Sequence, residues 1–290
     1  MKFALAVDSR IGGRGNNEDR LAVTCSSECV LLVVADGMGG HIDGEVAARI
    51  TTEVLVQQFR CQATPRLLQP GDFLRWALGE AHQAIIDHAI AHHLREIPST
   101  TVVVAIVQDD TVYCAYAGDS RLYLLEQGAV RFRSRDHSHV QRLIDSGQLS
   151  EAEAAVHPAR NRIYNCLGAM GEPEVSVLHP LPLQAGCSVL LCSDGLWSVV
   201  PDAELARVFH GRVAPAVLPA LMTVAEKRGG ERGDNLSAVA FTLLPADAAL
   251  DGRSGYIDSG TLAGFLPDDA VPGLLMEHEL TAELLPRQPH

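Results

Sequence analysis

An apolar run that ends in an acid constrains the fold of this chain more than any other feature. Residues 30–35 read Val-Leu-Leu-Val-Val-Ala, and Asp36 and a glycine-rich stretch follow directly. The run is too short to cross a membrane and too rich in β-branched residues to favour a helix. We therefore predict a buried strand that holds Asp36 at its end. The alternative is that Asp36 and Gly37 form only a turn.

The same pattern of an acid beside glycine at a strand end recurs along the chain. Residues 188–195 again read as an apolar strand that ends in Asp-Gly, at Asp194. Asp119 follows Gly118 after the predicted strand 111–117, and Asp234 precedes the last predicted strand, 236–244. Neither cysteine nor histidine repeats beside these acids. Ligand sets of oxygen alone select hard cations such as Mg²⁺ or Mn²⁺ over zinc.

A glycine-rich loop near the N-terminus adds a positively charged side chain and two more acids. Arg14 lies among glycines, and Glu18 and Asp19 end the loop. The flanking glycines leave room for the Arg14 guanidinium to bind an anion, although a plain salt bridge is the alternative. Converging carboxylates repel one another unless cations neutralise them, and two ions about 3.5–4 Å apart activate water well. The combination points to a phosphoryl substrate.

Composition and charge exclude several classes of protein. The formal net charge of the 290 residues is −13, which argues against nucleic acid or an anionic membrane as the main partner because both bind basic surfaces. No run approaches the ~20 apolar residues of a membrane helix. Seven cysteines without framework spacing, and no N-terminal export signal, favour a cytoplasmic protein with reduced thiols.

The remaining segments predict a mixed α/β chain with one large domain. Residues 44–60 and 73–94 have the spacing of amphipathic helices, and residues 101–133 predict a four-stranded antiparallel meander. Residues 136–173 are irregular, and their length favours a flap over the site rather than a plain connection. Residues 246–290 contain eight acids against Arg253 and Arg287. This acidic extension is either disordered or docks through a helix at 274–285.

Six motifs in this chain resemble, in content and in order, those of the metal-dependent (PPM, type 2C) serine/threonine protein phosphatases in their bacterial form. They are Arg14-Gly-Asn-Asn-Glu-Asp19, Ala35-Asp-Gly-Met-Gly-Gly-His41, Ser99-Thr-Thr101, Gly118-Asp-Ser-Arg121, Ser193-Asp-Gly-Leu-Trp197 and Gly233-Asp-Asn235. The match covers roughly residues 1–245. The resemblance implies a four-layer α-β-β-α sandwich, in which two antiparallel sheets pack face to face between helices and the metals bind in a cleft at one end.

The resemblance also implies a role for each residue of the site. Asp36 would bridge two Mn²⁺ or Mg²⁺ ions, and the Gly37 carbonyl would ligate one of them. Asp194 and Asp234 would ligate the other ion, and Glu18 and Asp19 would act through metal-bound water. Arg14 would bind the phosphate, and His41 would donate a proton to the leaving oxygen. Asp119 would belong to a third, weaker metal site. Ser198 stands where the family usually has another acid, so that third site would lack a ligand.

The function that the resemblance implies is hydrolysis of phosphoserine and phosphothreonine in proteins. Its expected partners are phosphorylated proteins and a cognate serine/threonine kinase, and the expected state is a cytoplasmic monomer. Two alternatives remain open. A pseudophosphatase would only bind phosphorylated partners, although Asp36, Asp194 and Asp234 are all present. A hydrolase of small phosphate esters could use the same fold and the same ligands.

Overall fold

The computed structural model describes residues 1–38, 44–248, 256–258 and 274–276. Within them, the chain forms strands and helices that alternate in blocks rather than one by one. In chain order, the strands are β1 (Lys2–Arg10), β2 (Asp19–Cys25), β3 (Cys29–Met38), β4 (Ser99–Gln108), β5 (Thr111–Ala117), β6 (Arg121–Glu126), β7 (Ala129–Arg133), β8 (Ser176–Val177), β9 (Leu181–Pro182), β10 (Ser188–Cys192), β11 (Leu236–Leu243), β12 (Tyr256–Asp258) and β13 (Leu274–Met276).

The helices lie on either side of the strands. In chain order, they are α1 (Gly44–Gln62), α2 (Pro70–Ala91), α3 (His139–Asp145), α4 (Glu151–Ala155), α5 (Asp194–Trp197), α6 (Asp202–Phe209) and α7 (Ala214–Gly229). A Ser138 side chain caps α3, and Ser150 forms a capping box with Glu153 at the start of α4. Such caps satisfy amide groups that a helix start leaves without partners.

The strands form two sheets. Sheet I has the spatial order β12-β1-β11-β10-β6-β7, and sheet II has the order β13-β2-β3-β4-β5-β8, with β9 beside β5. The pairs are antiparallel except β13 with β2, which is parallel. Sheet I and sheet II pack face to face, so that the molecule has two layers of strand between two layers of helix.

The side-chain pattern of β3 shows why the sheets are sandwiched. Leu32 and Val34 pack between the two sheets, whereas Leu31 and Val33 pack under α1 and α2. All four are fully buried, because successive residues of a strand point to opposite faces and both faces of sheet II are covered. The outer face of sheet I packs in the same way against α5, α6 and α7. The expected four-layer α-β-β-α sandwich is confirmed.

The predicted four-stranded meander is wrong in one respect. β4 pairs with β5 in sheet II and β6 pairs with β7 in sheet I, so residues 118–120 cross between the sheets instead of forming a hairpin turn. Gly118 has φ +110°, which an L side chain rarely adopts, and a Cβ there would overlap Thr101. On its other side β6 pairs with β10, which lies far away in the chain.

The acidic extension contributes one short strand to each sheet. β12 pairs with β1 at the edge of sheet I, and β13 pairs with β2 at the edge of sheet II. The first three residues of the helix predicted at 274–285 are therefore strand, and the rest of that prediction lies outside the described residues. Among the described residues, no helix is both long and apolar enough to cross a membrane.

Candidate metal centre

The strand ends that carry the predicted site residues meet at one end of the sandwich. β2 begins at Asp19 and β3 reaches Asp36 near its end, and the antiparallel register places these two residues directly opposite each other. In sheet I, β10 ends just before Asp194, and its neighbour β11 begins just after Asp234. Asp119 lies in the crossing between the sheets at this same end. The alternating directions of antiparallel strands thus bring distant parts of the chain together.

Burial and mutual repulsion raise the pKa values of the acids of this cluster. Burial raises the pKa of Asp19 to about 6. It also raises the pKa of Asp36 well above the ordinary value, and the charge of Asp19 raises it further. Burial raises the pKa of Asp119 to about 7. Burial also raises the pKa of Asp194 well above its ordinary value, and the charge of Asp119 is the second cause. The charges of Asp234 and its neighbours act on each member, which shows that these carboxylates share one electrostatic environment.

Arg14 supplies the positive charge of the centre. Its Nη2 lies 2.6 Å from Oδ2 of Asp234, and the charge of Asp234 is the main cause that raises the pKa of Arg14. The charges of Asp194 and Glu18 act in the same direction. The Arg14 side chain is 58% exposed, so its guanidinium faces solvent on the side away from Asp234. An arginine in this position can bind an anion that approaches the acids.

Glu18 is held at the rim by contacts of the loop that precedes β2. Its amide donates to Oδ1 of Asn235 at 2.9 Å. Asn235 in turn donates through Nδ2 to the carbonyls of Ile11 and Asn16, at 2.8 and 2.9 Å. Burial is the main cause that raises the pKa of Glu18, and Arg14 opposes it. Asn235 therefore fixes the loop that carries Arg14 and Glu18.

Gly37 allows three backbone segments to come together beside Asp36. Its amide donates to the Glu18 carbonyl at 3.2 Å. A Cβ at Gly37 would overlap the backbone of Gly44, at the start of α1, and would lie 2.7 Å from the Glu18 carbonyl oxygen. Only a residue without a side chain fits there.

Two hydroxyl groups donate hydrogen bonds to Asp19 and Asp36, and the sequence analysis gave neither hydroxyl a role. Ser193 Oγ donates to Oδ2 of Asp19 at 2.8 Å, and Thr100 Oγ1 donates to the Asp36 carbonyl at 2.8 Å. Both residues lie inside motifs that the sequence analysis assigned to the site. Membership of those motifs was the only sequence signal that could have indicated their contact with the acids. Their pairing depends on contacts across the two sheets, which a local pattern does not reveal.

The donor set suits a hard cation by its chemistry. Oδ1 of Asp19 is buried and has no hydrogen-bond partner among the described residues, and a bound ion is one of the recognised explanations for such an atom. The surrounding donors are carboxylate and carbonyl oxygens, which Mg²⁺ and Mn²⁺ prefer. In the described part of the chain, no three acid, histidine or cysteine side chains are close enough to form a ready cage.

Comparisons with known proteins show the family to which the chain belongs. Residues 8–227 match the family described as protein phosphatase 2C. The serine/threonine phosphatase Stp of Listeria innocua is 33% identical over 78% of this chain and 90% of its own. The chain belongs to the protein phosphatase 2C family. The resemblance drawn from the six motifs is confirmed, as is the prediction that the chain is a phosphatase of this class.

Solved phosphatase structures extend the agreement to the fold. The serine/threonine phosphatase of Streptococcus agalactiae matches with a TM-score of 0.75 and 27% identity, over 83% of this chain and 99% of that one. The catalytic domain of the serine/threonine phosphatase PstP, solved in complex with two manganese ions, matches with a TM-score of 0.66 and 28% identity, over 84% of this chain and 99% of that one.

Asp119 of this phosphatase lies against the short helix α5. Trp197 Nε1 donates to the Asp119 carbonyl at 2.9 Å, and the Arg121 guanidinium lies 3.6 Å from the centre of the Trp197 ring. Arg121 forms a two-bond ion pair with Asp136, at 2.8 and 2.7 Å. Ser198 follows Trp197 and is exposed. The Asp119 side chain thus belongs to the same buried cluster, without a second acid at 198.

The predicted flap residues 136–173 carry α3 and α4 and return to the site at both ends. Ser138 bridges to Ile163 within the segment, and Leu167 exchanges backbone hydrogen bonds with Thr100 at 3.1 and 2.9 Å. Leu167 therefore contacts the same residue that holds the Asp36 carbonyl. His41, the remaining site prediction, lies outside the described residues, as do residues 39–43 together.

Proposed function

We propose that this chain hydrolyses phosphoserine and phosphothreonine in proteins, with two Mn²⁺ or Mg²⁺ ions as cofactors. The observation that carries the proposal is the convergence of buried and half-buried, mutually repelling carboxylates beside an exposed arginine. Such a set is poorly stable without cations, and the arginine faces the place where an anionic substrate would approach. The manganese ions in the PstP structure support the choice of metal.

The acids would divide the work of holding the ions. Asp36, in the middle of the cluster, would bridge the two ions with help from the Gly37 carbonyl, and Asp194 and Asp234 would hold the second ion. Glu18 and Asp19 would act mainly through ordered water. When bound, two such ions neutralise phosphoryl charge and lower the pKa of water. Asp119 would contribute to a weaker third site that lacks an acid at Ser198.

Arg14 and His41 would act on the substrate rather than on the ions. Arg14 would leave Asp234 and bind two phosphate oxygens with its guanidinium fork. His41 would give a proton to the leaving serine or threonine oxygen. An alkoxide is a poor leaving group, so a positioned proton donor accelerates its departure by roughly 10²–10⁴-fold.

The segment 136–173 supports a protein as the substrate. It forms a flap of helices and loops whose ends contact the site, and an extended surface of this kind suits a polypeptide better than a small ester. We place the catalytic domain at residues 1–245 and treat 246–290 as an acidic extension. The physiological partners would be phosphorylated proteins and the serine/threonine kinase that modifies them. None of the cysteines, all of which lie within the described residues, forms a disulfide, which supports a cytoplasmic site of action, and we expect a monomer.

Hydrolysis of a phosphothreonine peptide by the full chain tests the proposal. Phosphate release should require added Mn²⁺ or Mg²⁺ and should stop in excess chelator. Full turnover in chelator would contradict the metal mechanism, and tight binding of the peptide without turnover would favour the pseudophosphatase. A kcat/KM for nitrophenyl phosphate above that for the peptide would favour a hydrolase of small esters.

A further inference from the structure

His137 is a buried histidine that has no assigned role in the metal centre. It precedes α3 and is only 4% exposed. Its ring stacks on the ring of Tyr116 in β5, with 5.0 Å between centres, and lies 5.7 Å from the ring of Tyr164. A buried histidine with ordered partners on every side has a fixed orientation and a fixed tautomer.

The hydrogen bonds of His137 define that tautomer. Nδ1 accepts from the Gly118 amide at 3.2 Å and from Nδ2 of Asn165 at 2.6 Å. Because a backbone amide can only donate, Nδ1 carries no proton. Nε2 carries the proton instead and donates to Ser176 Oγ at 2.9 Å. The His137 amide also donates to the Gly118 carbonyl at 2.9 Å, so His137 contacts Gly118 through both polar backbone atoms of that glycine.

These contacts fix the crossing that carries Asp119. Gly118 is confined by Thr101, which a Cβ at this position would overlap, and Ser120 Oγ lies 2.7 Å from Thr101 Oγ1. Trp197 holds the Asp119 carbonyl. The crossing 118–120 is therefore held by Thr101 in β4, by Trp197 in α5, and by His137 at the start of the flap.

The same histidine joins the two ends of the flap. The Tyr164 amide donates to the His137 carbonyl at 2.9 Å. Asn165, which donates to His137, also exchanges two hydrogen bonds with the backbone of Glu174, at 3.0 and 2.8 Å. Ser176, the partner of Nε2, begins β8 just after the flap. His137 is thus the point at which the flap base and the crossing 118–120 meet.

We propose that His137 is a positioning residue that aligns Asp119 by holding Gly118 against the base of the flap. The position of the Asp119 carboxylate then depends on how the flap base is packed. This inference rests on the proposed role of Asp119 as a ligand of the weaker metal site. It concerns the alignment of that ligand, and His137 itself contacts neither substrate nor metal.

Two substitutions at His137 separate the hydrogen bond from the packing. His137→Phe keeps an aromatic ring between Tyr116 and Tyr164 but removes the acceptor for Gly118. His137→Asn removes the ring but keeps an acceptor near the position of Nδ1. His82→Phe is the matched control, because His82 is also buried and its Nδ1 accepts an amide hydrogen bond at 3.0 Å from Gly168, in the same flap.

Hydrogen exchange of the metal-free protein directly measures how strongly the backbone amides of the crossing 118–120 are protected. His137→Phe should speed exchange of the Gly118 amide by about 10-fold, the loss expected from one buried hydrogen bond. His137→Asn should restore part of the protection, and His82→Phe should leave exchange at 118–120 unchanged. Equal exchange at 118–120 in His137→Phe and His82→Phe, with both proteins folded by circular dichroism, would overturn the proposal.

Calorimetric titration with Mn²⁺ measures the consequence for Asp119. Asp119→Ala identifies which binding step depends on that acid, and His137→Phe should weaken the same step by about 10–100-fold, as outer partners of metal ligands do. His82→Phe should not weaken it. If the wild-type chain binds no Mn²⁺, the proposed metal function fails. If it binds Mn²⁺ and the Asp119-dependent step is unchanged in His137→Phe, the positioning role fails.

Discussion

Asp119 is a residue whose protonation should affect the stability of this protein. Its folded-state pKa of about 7 lies above that of an unfolded Asp, near 3.9, because burial disfavours its charged form. The folded state therefore binds this proton more tightly than the unfolded state does. The contribution of Asp119 to stability is fully present below pH 4 and is lost as the pH rises through 7.

This linkage predicts that Asp119→Asn gains stability relative to wild type as the pH rises, in the metal-free protein. In chelator, the melting temperature of the variant minus that of wild type should increase by on the order of 5 °C between pH 5 and pH 8. The comparison between variants removes the opposite effect of the buried histidines His82 and His137, whose pKa values burial lowers. A gap that stays constant from pH 5 to 8 would contradict a raised pKa for Asp119.

The roles proposed for His41 and Arg14 predict different substrate dependence. A nitrophenolate leaves without a proton, whereas an alkoxide does not, so His41→Ala should slow hydrolysis of a phosphothreonine peptide far more than that of nitrophenyl phosphate. Arg14→Ala removes a charged phosphate contact and should impair both substrates by a similar factor of about 10²–10³. Equal damage to both substrates by His41→Ala, in a protein that still binds two ions, would reject the general-acid role.

The close packing around Gly37 predicts that a side chain at this position destabilises the fold, and Gly79 in a helix provides a control position with free space. Gly37→Ala should destabilise the fold, because its methyl group would overlap the backbone of Gly44 beside Glu18. Gly79 lies inside α2 with no neighbouring atom within 4 Å of a built Cβ, so Gly79→Ala should stabilise the protein by about 1 kcal/mol. Thermal melting should therefore shift in opposite directions for the two variants. A Gly37→Ala protein as stable as wild type would show that the close approach is not tight.

At the scale of elements, the sequence predicts strands and turns well but does not predict which strands pair. The apolar run before Asp36 and its repeat before Asp194 each leave a local pattern, and both were identified as strands. The turns at 109–110 and 127–128 define two hairpins, with positive φ at both positions of each turn. The local sequence of the two hairpins does not indicate that they belong to different sheets. That choice depends on the distant strand β10, which pairs with β6.

The same limit explains which site residues were predicted. Acids beside glycine at strand ends carry a signal within a few residues, so Asp36, Asp119, Asp194 and Asp234 were selected and lie together. His137 was not selected, because its partners Gly118, Asn165 and Ser176 come from three separate segments. Hydrogen-bond networks of this kind require the tertiary structure.

Deletion of residues 246–290 tests the boundary of the catalytic domain. The truncated protein should hydrolyse nitrophenyl phosphate at a rate close to that of the full chain, because every predicted site residue precedes residue 245. The deletion should lower the stability of the protein by removing strands from the sheet edges, since β12 pairs with β1 and β13 pairs with β2. A truncated protein that is folded by circular dichroism but inactive on this substrate would show that the extension completes the site.

At the scale of the whole molecule, the four-layer sandwich accounts for the charge of the metal centre. Two sheets buried on both faces provide a rigid scaffold, and their strands end together at one edge. Carboxylates placed there lose solvent and repel one another, so their position is maintained by the scaffold at an electrostatic cost. Cations that bind the cluster would remove that cost, which couples metal binding to the stability of the fold.

The most direct test of this account is phosphate release from a phosphothreonine peptide by Asp36→Asn over a range of Mn²⁺ concentrations. Asp36 is half-buried within the cluster of acids, and asparagine keeps its size while removing its charge. Asp72→Asn, at an exposed position in the first turn of α2, is the matched control. The account predicts that Asp36→Asn loses about 10³-fold or more in kcat at every Mn²⁺ concentration and that Asp72→Asn matches wild type. An Asp36→Asn protein that turns over the peptide at the wild-type rate would contradict the account.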